Sequence, residues 1–448
     1  MSTEPAWVQH VMWWHVYPLG FVDAPIHPGP GARTEDDPQV SHRLDRIIGW
    51  LDHLVELGLN GLQLGPVFAS STHGYDTLDH YRVDPRLGTE DDLVRLVRAA
   101  HDRGIKVILD GVFNHVGRAH PAFQALTEHG PQAVTAGLFR VHWEHWHPGG
   151  PVPADVFEGH EQLVELDHGA PAVADLVTDV MSYWLDRGID GWRLDAAYAV
   201  PADFWARVLP RVRERHPDAW FTGEVIRGDY AAYVAESTLD SLTQYELWQA
   251  IWHGVADGNM FELAHALGRH NEMLRGFVPS TFVGNHDVTR IASAVGDVRH
   301  LPHALAVLFT VAGTPAIYAG DEYAWRAVKE QRHGGDDAVR PAFAAAPPRV
   351  DDLEPRAQQT LGLLRALVAV RRRHPWLHRA HTDVVHLTNP TLVLRSGTPD
   401  AAVVTALHLG PEPVTVPAAG GLRVEAGAGQ LRGGSLVLPA HGWAVLTS

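Results

Sequence analysis

A chain of 448 residues, 45% hydrophobic and 20% charged, can bury one large α/β domain plus a smaller companion, and is too apolar to be disordered. Its 53 acidic residues outnumber 36 basic ones for a formal charge of −17, which disfavours nucleic-acid partners and suits a neutral ligand. The lack of cysteine excludes disulfides, thiolate metal sites and a cysteine nucleophile.

The amino terminus has no basic segment followed by a long apolar core, and no run reaches the length of a membrane span. The expectation is a cytoplasmic protein with no membrane partner. Apolar strands are expected at 12–19, 61–67, 106–112, 191–196, 220–225, 241–245, 280–284 and 316–319. Amphipathic helices with acidic starts, such as 45–57, 90–102, 172–186 and 201–215, lie between most of them. Eight βα units favour a closed (β/α)8 TIM barrel, whose active site gathers at the carboxyl ends of the strands. The third unit is interrupted by a stretch at 116–167, rich in Gly, Pro, His and Trp, too long for an ordinary loop. From 380 onward the pattern becomes short alternating strands at 384–387, 392–394, 402–407, 413–416 and 435–438, parted by Gly and Pro. The expected domains are a barrel from 1–115 and 168–379, an insertion at 116–167, and a carboxyl-terminal antiparallel β-sandwich at 380–448.

Four segments carry the chemistry: DGVFNH (110–115), GWRLDAA (191–197), GEVI (223–226) and VGNHD (283–287). Three carboxylates, Asp195, Glu224 and Asp287, fall at the ends of the fourth, fifth and seventh expected strands and so converge on one barrel mouth. Cleaving a glycosidic bond needs one carboxylate near the anomeric carbon and one carboxylic acid near the leaving oxygen. Asp195 follows Arg193, whose guanidinium would keep it ionised, as suits a nucleophile. Glu224 ends the run 219–223, where aromatic neighbours would raise its pKa, as suits a general acid. His142, His145 and His147 in VHWEHWHPGG resemble a metal cluster, yet match no helix-borne zinc motif and equally suit a sugar subsite. The run Arg371 to His374 reads as a helix end, and Gly427, Gly429, Gly433 and Gly434 as turns.

Together with His73-Gly74-Tyr75-Asp76, which leads into 81–85, these segments resemble the α-amylase superfamily, glycoside hydrolase family 13, over nearly the whole chain. The resemblance implies that Asp195 is the nucleophile, Glu224 the acid and base, and Asp287 the grip on the ring hydroxyls. It makes Arg193 the partner of Asp195, His115 and His286 donors to the same sugar, and Tyr75 its stacking face, with His73 beside it. Asp336 and Arg340 match the family's pair for the next sugar, and Gly320-Asp321-Glu322 also matches. It implies that 116–167 is the family's domain B, one wall of the cleft.

The motifs are similar to the group of cyclomaltodextrinases, neopullulanases and maltogenic amylases, which usually carries an amino-terminal sheet domain that builds its dimer, whereas here Trp13 and Trp14 are expected to begin the barrel. A homodimer, if formed, would use another interface. Many secreted α-amylases place a histidine four residues after the nucleophile to join Asn114 around calcium; here that position is Ala199. The expectation is no metal and no cofactor, with Asn114 as a hydrogen-bonding brace. The run 163–167 also departs from the group's Met-Pro-Lys-Leu-Asn, and Tyr198 alters the leaving-sugar side. The function implied is retaining hydrolysis of α-1,4-glucosidic bonds in an oligosaccharide substrate, a short or cyclic maltooligosaccharide such as cyclic maltosyl-maltose or a cyclodextrin. The alternatives are a transglycosylase or isomerase of the same family, such as a trehalose synthase, or an inactive sugar-binding scaffold.

Overall fold

The computed structural model describes residues 4–27, 40–332, 334–398 and 401–447. The first residues of the amino-terminal segment lie outside the described residues. Eight parallel strands form the barrel: β1 (Trp13–Val16), β2 (Gly61–Leu64), β3 (Lys106–Gly111), β4 (Gly191–Leu194), β5 (Trp220–Gly223), β6 (Ser241–Leu242), β7 (Ser280–Phe282) and β8 (Thr314–Tyr318). They hydrogen-bond in the order β6-β5-β4-β3-β2-β1-β8-β7. A parallel bridge between Thr243 and Ser280, with Gln244 N–H donating to Ser280 O at 2.8 Å, joins the two ends into a ring.

Alternation of side chains along a strand decides what fills this ring. Trp13, Ile108, Trp220 and Phe282, from β1, β3, β5 and β7, meet in one cluster with Val8, Val11, Tyr245 and Ala316. This is a layer built from odd-numbered strands, the packing expected inside such a barrel. Trp13 and Trp220 stack at 5.5 Å and 16°. The alternate residues Trp14, Val16, Leu62, Leu64, Val107, Leu109, Trp192, Leu194 and Phe221 face outward into the larger core shared with the helices. Gly61 on β2 leaves room for Trp13, since a Cβ there would stand 2.4 Å from the Trp13 ring, while Gly191 lets β4 approach the backbone of β5, where a Cβ would stand 2.1 Å from Trp220 O.

Every expected strand is present, but most expected ends ran too far. At β1 the chain leaves the sheet for a short helix, Pro18–Phe21, since Pro18 has no N–H to give a ladder and is preset for a first helical position. The expected helix at 45–57 is broken into Asp45–Ile48 and Leu51–Glu56, with Trp50 between them tied through Nε1 to Ala344 O at 3.0 Å. The helices Glu90–His101, Pro171–Leu185 and Ala202–Arg215 agree with the pattern to within a residue or two. Glu90–His101 opens on a reciprocal capping box between Thr89 and Asp92.

Between β3 and Pro171–Leu185 the chain makes an excursion. It holds an antiparallel pair, His115–Gly117 with Leu163–Glu165, and the helix Pro121–His129. Phe123, Leu126, Phe139, Val152, Val164 and Leu166 are among its buried apolar residues.

The carboxyl-terminal strands are β9 (His381–Leu387), β10 (Thr391–Gly397), β11 (Ala402–His408), β12 (Val414–Pro417), β13 (Arg423–Gly427), β14 (Gln430–Arg432), β15 (Ser435–Leu438) and β16 (Trp443–Thr447). They form two antiparallel sheets, β9-β10-β11-β16-β13 and β12-β15-β14. Val393, Ala406, Ala444 and Leu446 of the first meet Val416, Leu436 and Leu438 of the second. The other face of the first sheet, through Leu392, Leu394, Val403, Leu407 and Val445, joins the core of the barrel helices. The architecture is thus a (β/α)8 barrel with a carboxyl-terminal antiparallel β-domain.

Candidate active site

The period of two that puts Trp220 inside the barrel also aims Thr222 and Glu224 inward, and the same rule puts Gly191, Arg193 and Asp195 on one face of β4. The parallel ladder continues one residue beyond the strands: Asp195 N–H donates to Gly111 O at 3.0 Å and Glu224 N–H to Leu194 O at 2.8 Å. Both carboxylates therefore stand on rigid strand ends at the mouth. Asp195 is followed by Ala196 in the left-handed region (φ 44°), a conformation costing about 1–2 kcal/mol for an L-residue. That turn aims Ala196 N–H at Glu224 Oε2, 3.1 Å away.

Arg193 is the hub. Its Nη1 lies 2.8 Å from both oxygens of Asp110 and 2.9 Å from Asp195 Oδ1, while Nη2 lies 2.7 Å from Glu224 Oε1. The guanidinium fork is suited to holding several carboxylates in fixed geometry. Asp110, Arg193, Asp195 and Glu224 are all less than one-tenth exposed, so their pairings are little screened by solvent.

Asp287, with its side chain about one-third exposed, is held by different cationic partners. His286 Nε2 lies 2.9 Å from Oδ2, and Arg340 Nη2 donates to Oδ1 at 2.6 Å. Arg340 also donates through Nε to His286 O at 3.0 Å, pairs with Asp336 Oδ2 at 3.0 Å, and lies over the Tyr17 ring at 4.7 Å. The Tyr75 hydroxyl reaches His286 Nε2 and donates to Asp110 Oδ2 at 3.2 Å, and the Tyr75 and His286 rings lie parallel at 5.5 Å. His115 Nε2 bonds Tyr75 O at 3.0 Å, and His73 Nδ1 accepts Tyr75 N–H at 3.2 Å. The ten residues singled out in the sequence are thereby gathered into one connected network. Within it His73 steadies the Tyr75 loop, and Arg340, itself buried, directs its donors to Asp287, Asp336 and His286 O.

Burial pushes the Asp195 carboxyl well above the usual carboxylate range; Arg193 pulls it down, and Glu224, Asp110 and Asp287 add to the rise. Burial raises Asp110 as well, against the same Arg193. Burial also favours the acid form of Asp287, but His286, Arg340 and Arg193 outweigh it and hold this carboxyl well below the usual range. Arg193 does adjoin Asp195, but one cation shared among three acids does not offset burial, so this carboxyl is raised where the sequence led to the expectation that Arg193 would hold it ionised. The surroundings of Glu224 are also more polar than its aromatic flanks foretell, since Arg193, Tyr245 and Ala196 N–H all converge on it. Three buried carboxyls, Asp110, Asp195 and Glu224, on one arginine favour retention of a proton within the cluster, as an acid and base pair requires.

Residues 33–352 match a family model described as the catalytic domain of alpha amylase. The chain belongs to the α-amylase family. It is 32% identical over 339 residues to a cyclomaltodextrinase of a Bacillus species, an alignment covering 71% of this chain and 60% of that protein. It is 30% identical over 344 residues to the intracellular maltogenic amylase of Bacillus subtilis, covering 71% and 56% respectively. The chain therefore spans about three-fifths of the length of these curated relatives. Among solved structures, the cyclic α-maltosyl-(1→6)-maltose hydrolase of Arthrobacter globiformis, in complex with cyclic α-maltosyl-(1→6)-maltose, superposes with a TM-score of 0.83 at 26% identity, covering 100% of both chains.

Within this family member, the network includes groups the sequence did not single out. Tyr245 donates to Glu224 Oε1 at 2.9 Å and accepts from Asn285 Nδ2 at 3.0 Å. Tyr17 stacks on His286 at 5.7 Å and 7°, and Asp110 completes the Arg193 cluster. Their signal was positional: each stands at or just past the end of an inward-facing strand. From the excursion, Phe157 stacks on His115 at 4.7 Å, and Glu158 Oε1 accepts the Tyr198 hydroxyl at 2.9 Å. No strand period or familiar motif marks those two.

The Ala199 side chain carries no metal-ligating atom, and Asn114 Nδ2 pairs with His115 Nδ1 at 3.2 Å. Among the described residues no helix is long and apolar enough to cross a membrane.

Proposed function

We propose that this chain is a retaining α-glycoside hydrolase acting on α-1,4-glucosidic bonds of short or cyclic maltooligosaccharides. The observation that carries the reading is the bridging of Asp195 and Glu224 by the two terminal nitrogens of Arg193. Two carboxyls on one guanidinium stand in one cleft, as a double displacement needs, and membership of the α-amylase family supports the retaining outcome. Ionised Asp195 attacks the anomeric carbon as Glu224 gives its proton to the leaving oxygen, so the glycosidic bond breaks and a glycosyl ester forms on Asp195. Glu224, now ionised, takes a proton from water, whose oxygen displaces Asp195 and restores both groups. Asp287, fixed by His286 and Arg340, grips hydroxyls of the distorted ring, and Tyr75 covers its face.

The excursion at 116–167 acts as domain B, bringing Phe157 and Glu158 to the side of the cleft next to Tyr198. Likeness to a cyclomaltodextrinase and to a hydrolase of cyclic maltosyl-maltose supports cyclic substrates. Likeness to a protein named intracellular supports action inside the cell. The test is to incubate the purified protein and Glu224→Gln with linear maltooligosaccharides, cyclodextrins and cyclic maltosyl-maltose, and follow products by chromatography. Cleavage to maltose or linear fragments by the wild type alone supports the reading. Rearrangement without net hydrolysis, or no cleavage, contradicts it.

A further inference from the structure

Away from the barrel mouth, three side chains with metal-ligating atoms meet at the junction of the barrel and the carboxyl-terminal β-domain. They are Asp297, His300 and His441, with one ligand atom from each lying within 4.8 Å of the others. Asp297 and His300 come from the turn leading into the helix Leu301–Thr310, while His441 comes from the turn before β16. We propose that this cluster binds a divalent transition-metal ion of the zinc class and cross-links the two domains through it.

The donor set is two imidazole nitrogens and a carboxylate oxygen, which suits zinc and its borderline neighbours better than calcium or magnesium. His300 Nε2 and His441 Nδ1 face each other at 2.9 Å. Two nitrogens on a tetrahedral zinc, each at about 2.0–2.1 Å, stand about 3.3 Å apart, so the pair must open by a few tenths of an ångström and each ring, now aimed nearly head-on at the other with centroids 5.1 Å apart, must turn by roughly 35° to converge on the ion. The His300 side is anchored: its backbone N–H donates to Asp297 O at 2.9 Å, and its ring is largely buried. The His441 side is anchored too. Its N–H donates to Gly410 O at 2.9 Å, and His303, one helical turn from His300, bonds through Nε2 to His408 O and Gly442 O at 3.1 and 3.2 Å. Asp297 is about one-third exposed, leaving room for an ion to enter and for water to complete the shell.

The competing arrangement is visible as well. Both Asp297 oxygens accept from Arg299, Oδ1 from the backbone N–H at 2.9 Å and Nε at 3.1 Å, Oδ2 from Nε at 2.9 Å and Nη2 at 2.5 Å. A metal must displace at least one of these donors, so Arg299 opposes binding. The VHWEHWHPGG histidines are not drawn together in this way. His142 pairs with Asp155 at 2.8 Å, and the group identified among the described residues is Asp297, His300 and His441.

The experiment uses the full chain, stripped with a chelator and dialysed, then titrated with Zn2+ and with Co2+ as a spectroscopic probe. One equivalent should bind with a tetrahedral cobalt spectrum, and Zn2+ at about 100 times its Kd should raise the Tm by roughly 3 °C. His441→Gly, which suits the left-handed backbone at this position (φ 53°), should remain folded and lose both effects. Asp297→Asn should weaken binding about tenfold or more, and Arg299→Gln should tighten it. Absence of stoichiometric uptake, or uptake unchanged in His441→Gly and Asp297→Asn, would overturn the site. Unchanged or weaker binding in Arg299→Gln would remove Asp297 from the ligand set.

Discussion

Tyr245 donates its hydroxyl hydrogen to Glu224 Oε1 across 2.9 Å, and the same hydroxyl oxygen accepts from Asn285. This chain of three side chains shares one oxygen of the proposed acid with Arg193 Nη2, 2.7 Å away. Tyr245→Phe should leave the ring packed against Phe282 and Trp248 but leave that oxygen to Arg193 alone. Loss of one charge-assisted hydrogen bond, worth about 1.5–3 kcal/mol, should lower kcat about tenfold to a hundredfold with KM little changed. Steady-state kinetics on a maltooligosaccharide checks it.

Asp195→Asn and Glu224→Gln should each lower kcat/KM by at least about 10³-fold, because each removes a group from the bond-breaking step itself. Both should still bind sugar, measured by calorimetry, since Tyr75, His286 and Asp287 are untouched.

The pH dependence follows from Asp195. Its carboxyl is raised by burial and by the negative groups around it, so it is protonated at a higher pH than an ordinary aspartate. The acid limb of the kcat/KM profile should therefore lie above the ordinary carboxylate value of about 3.9, with activity lost as pH falls through it. Asp110→Asn removes one of the raising charges. It should move that limb to lower pH, and a limb that stays put or moves up would contradict the assignment.

Two histidines outside the site set a second pH effect. His270 and His303 are buried, and burial pushes each down to about 4 from about 6.5 in an unfolded chain. Below pH 6.5 the unfolded state binds more protons at these positions than the native state. Their contribution is thus present above pH 6.5 and lost as pH falls towards 4, by about 3 kcal/mol each. Thermal melts should show Tm falling across that window. His270→Gln, which can keep a donor for Ala312 O, should flatten the fall.

Much of this was legible in the sequence because strand period and motif order are local signals. The eight barrel strands announce themselves as apolar runs, and Arg193 with Asp195, or Trp220 with Glu224, share a face because of simple alternation. Strand ends were less legible, since a run such as 12–19 stays apolar after Pro18 has turned the chain. Tyr245 was hidden because its partner Glu224 is 21 residues away, and only the parallel pairing of β5 with β6 brings them together. The carboxyl-terminal strands β13, β14 and β16 were missed because their alternation is diluted by Gly and by exposed positions. The Asp297, His300 and His441 group was illegible for a plainer reason: its last member is 141 residues from its nearest partner in sequence.

The central claim is double displacement through Asp195. The direct measurement is proton NMR of freshly released sugar during rapid cleavage of a maltooligosaccharide, before the reducing end equilibrates. The account predicts that the α-anomer appears first. First appearance of the β-anomer would mean a single inverting displacement and would contradict it.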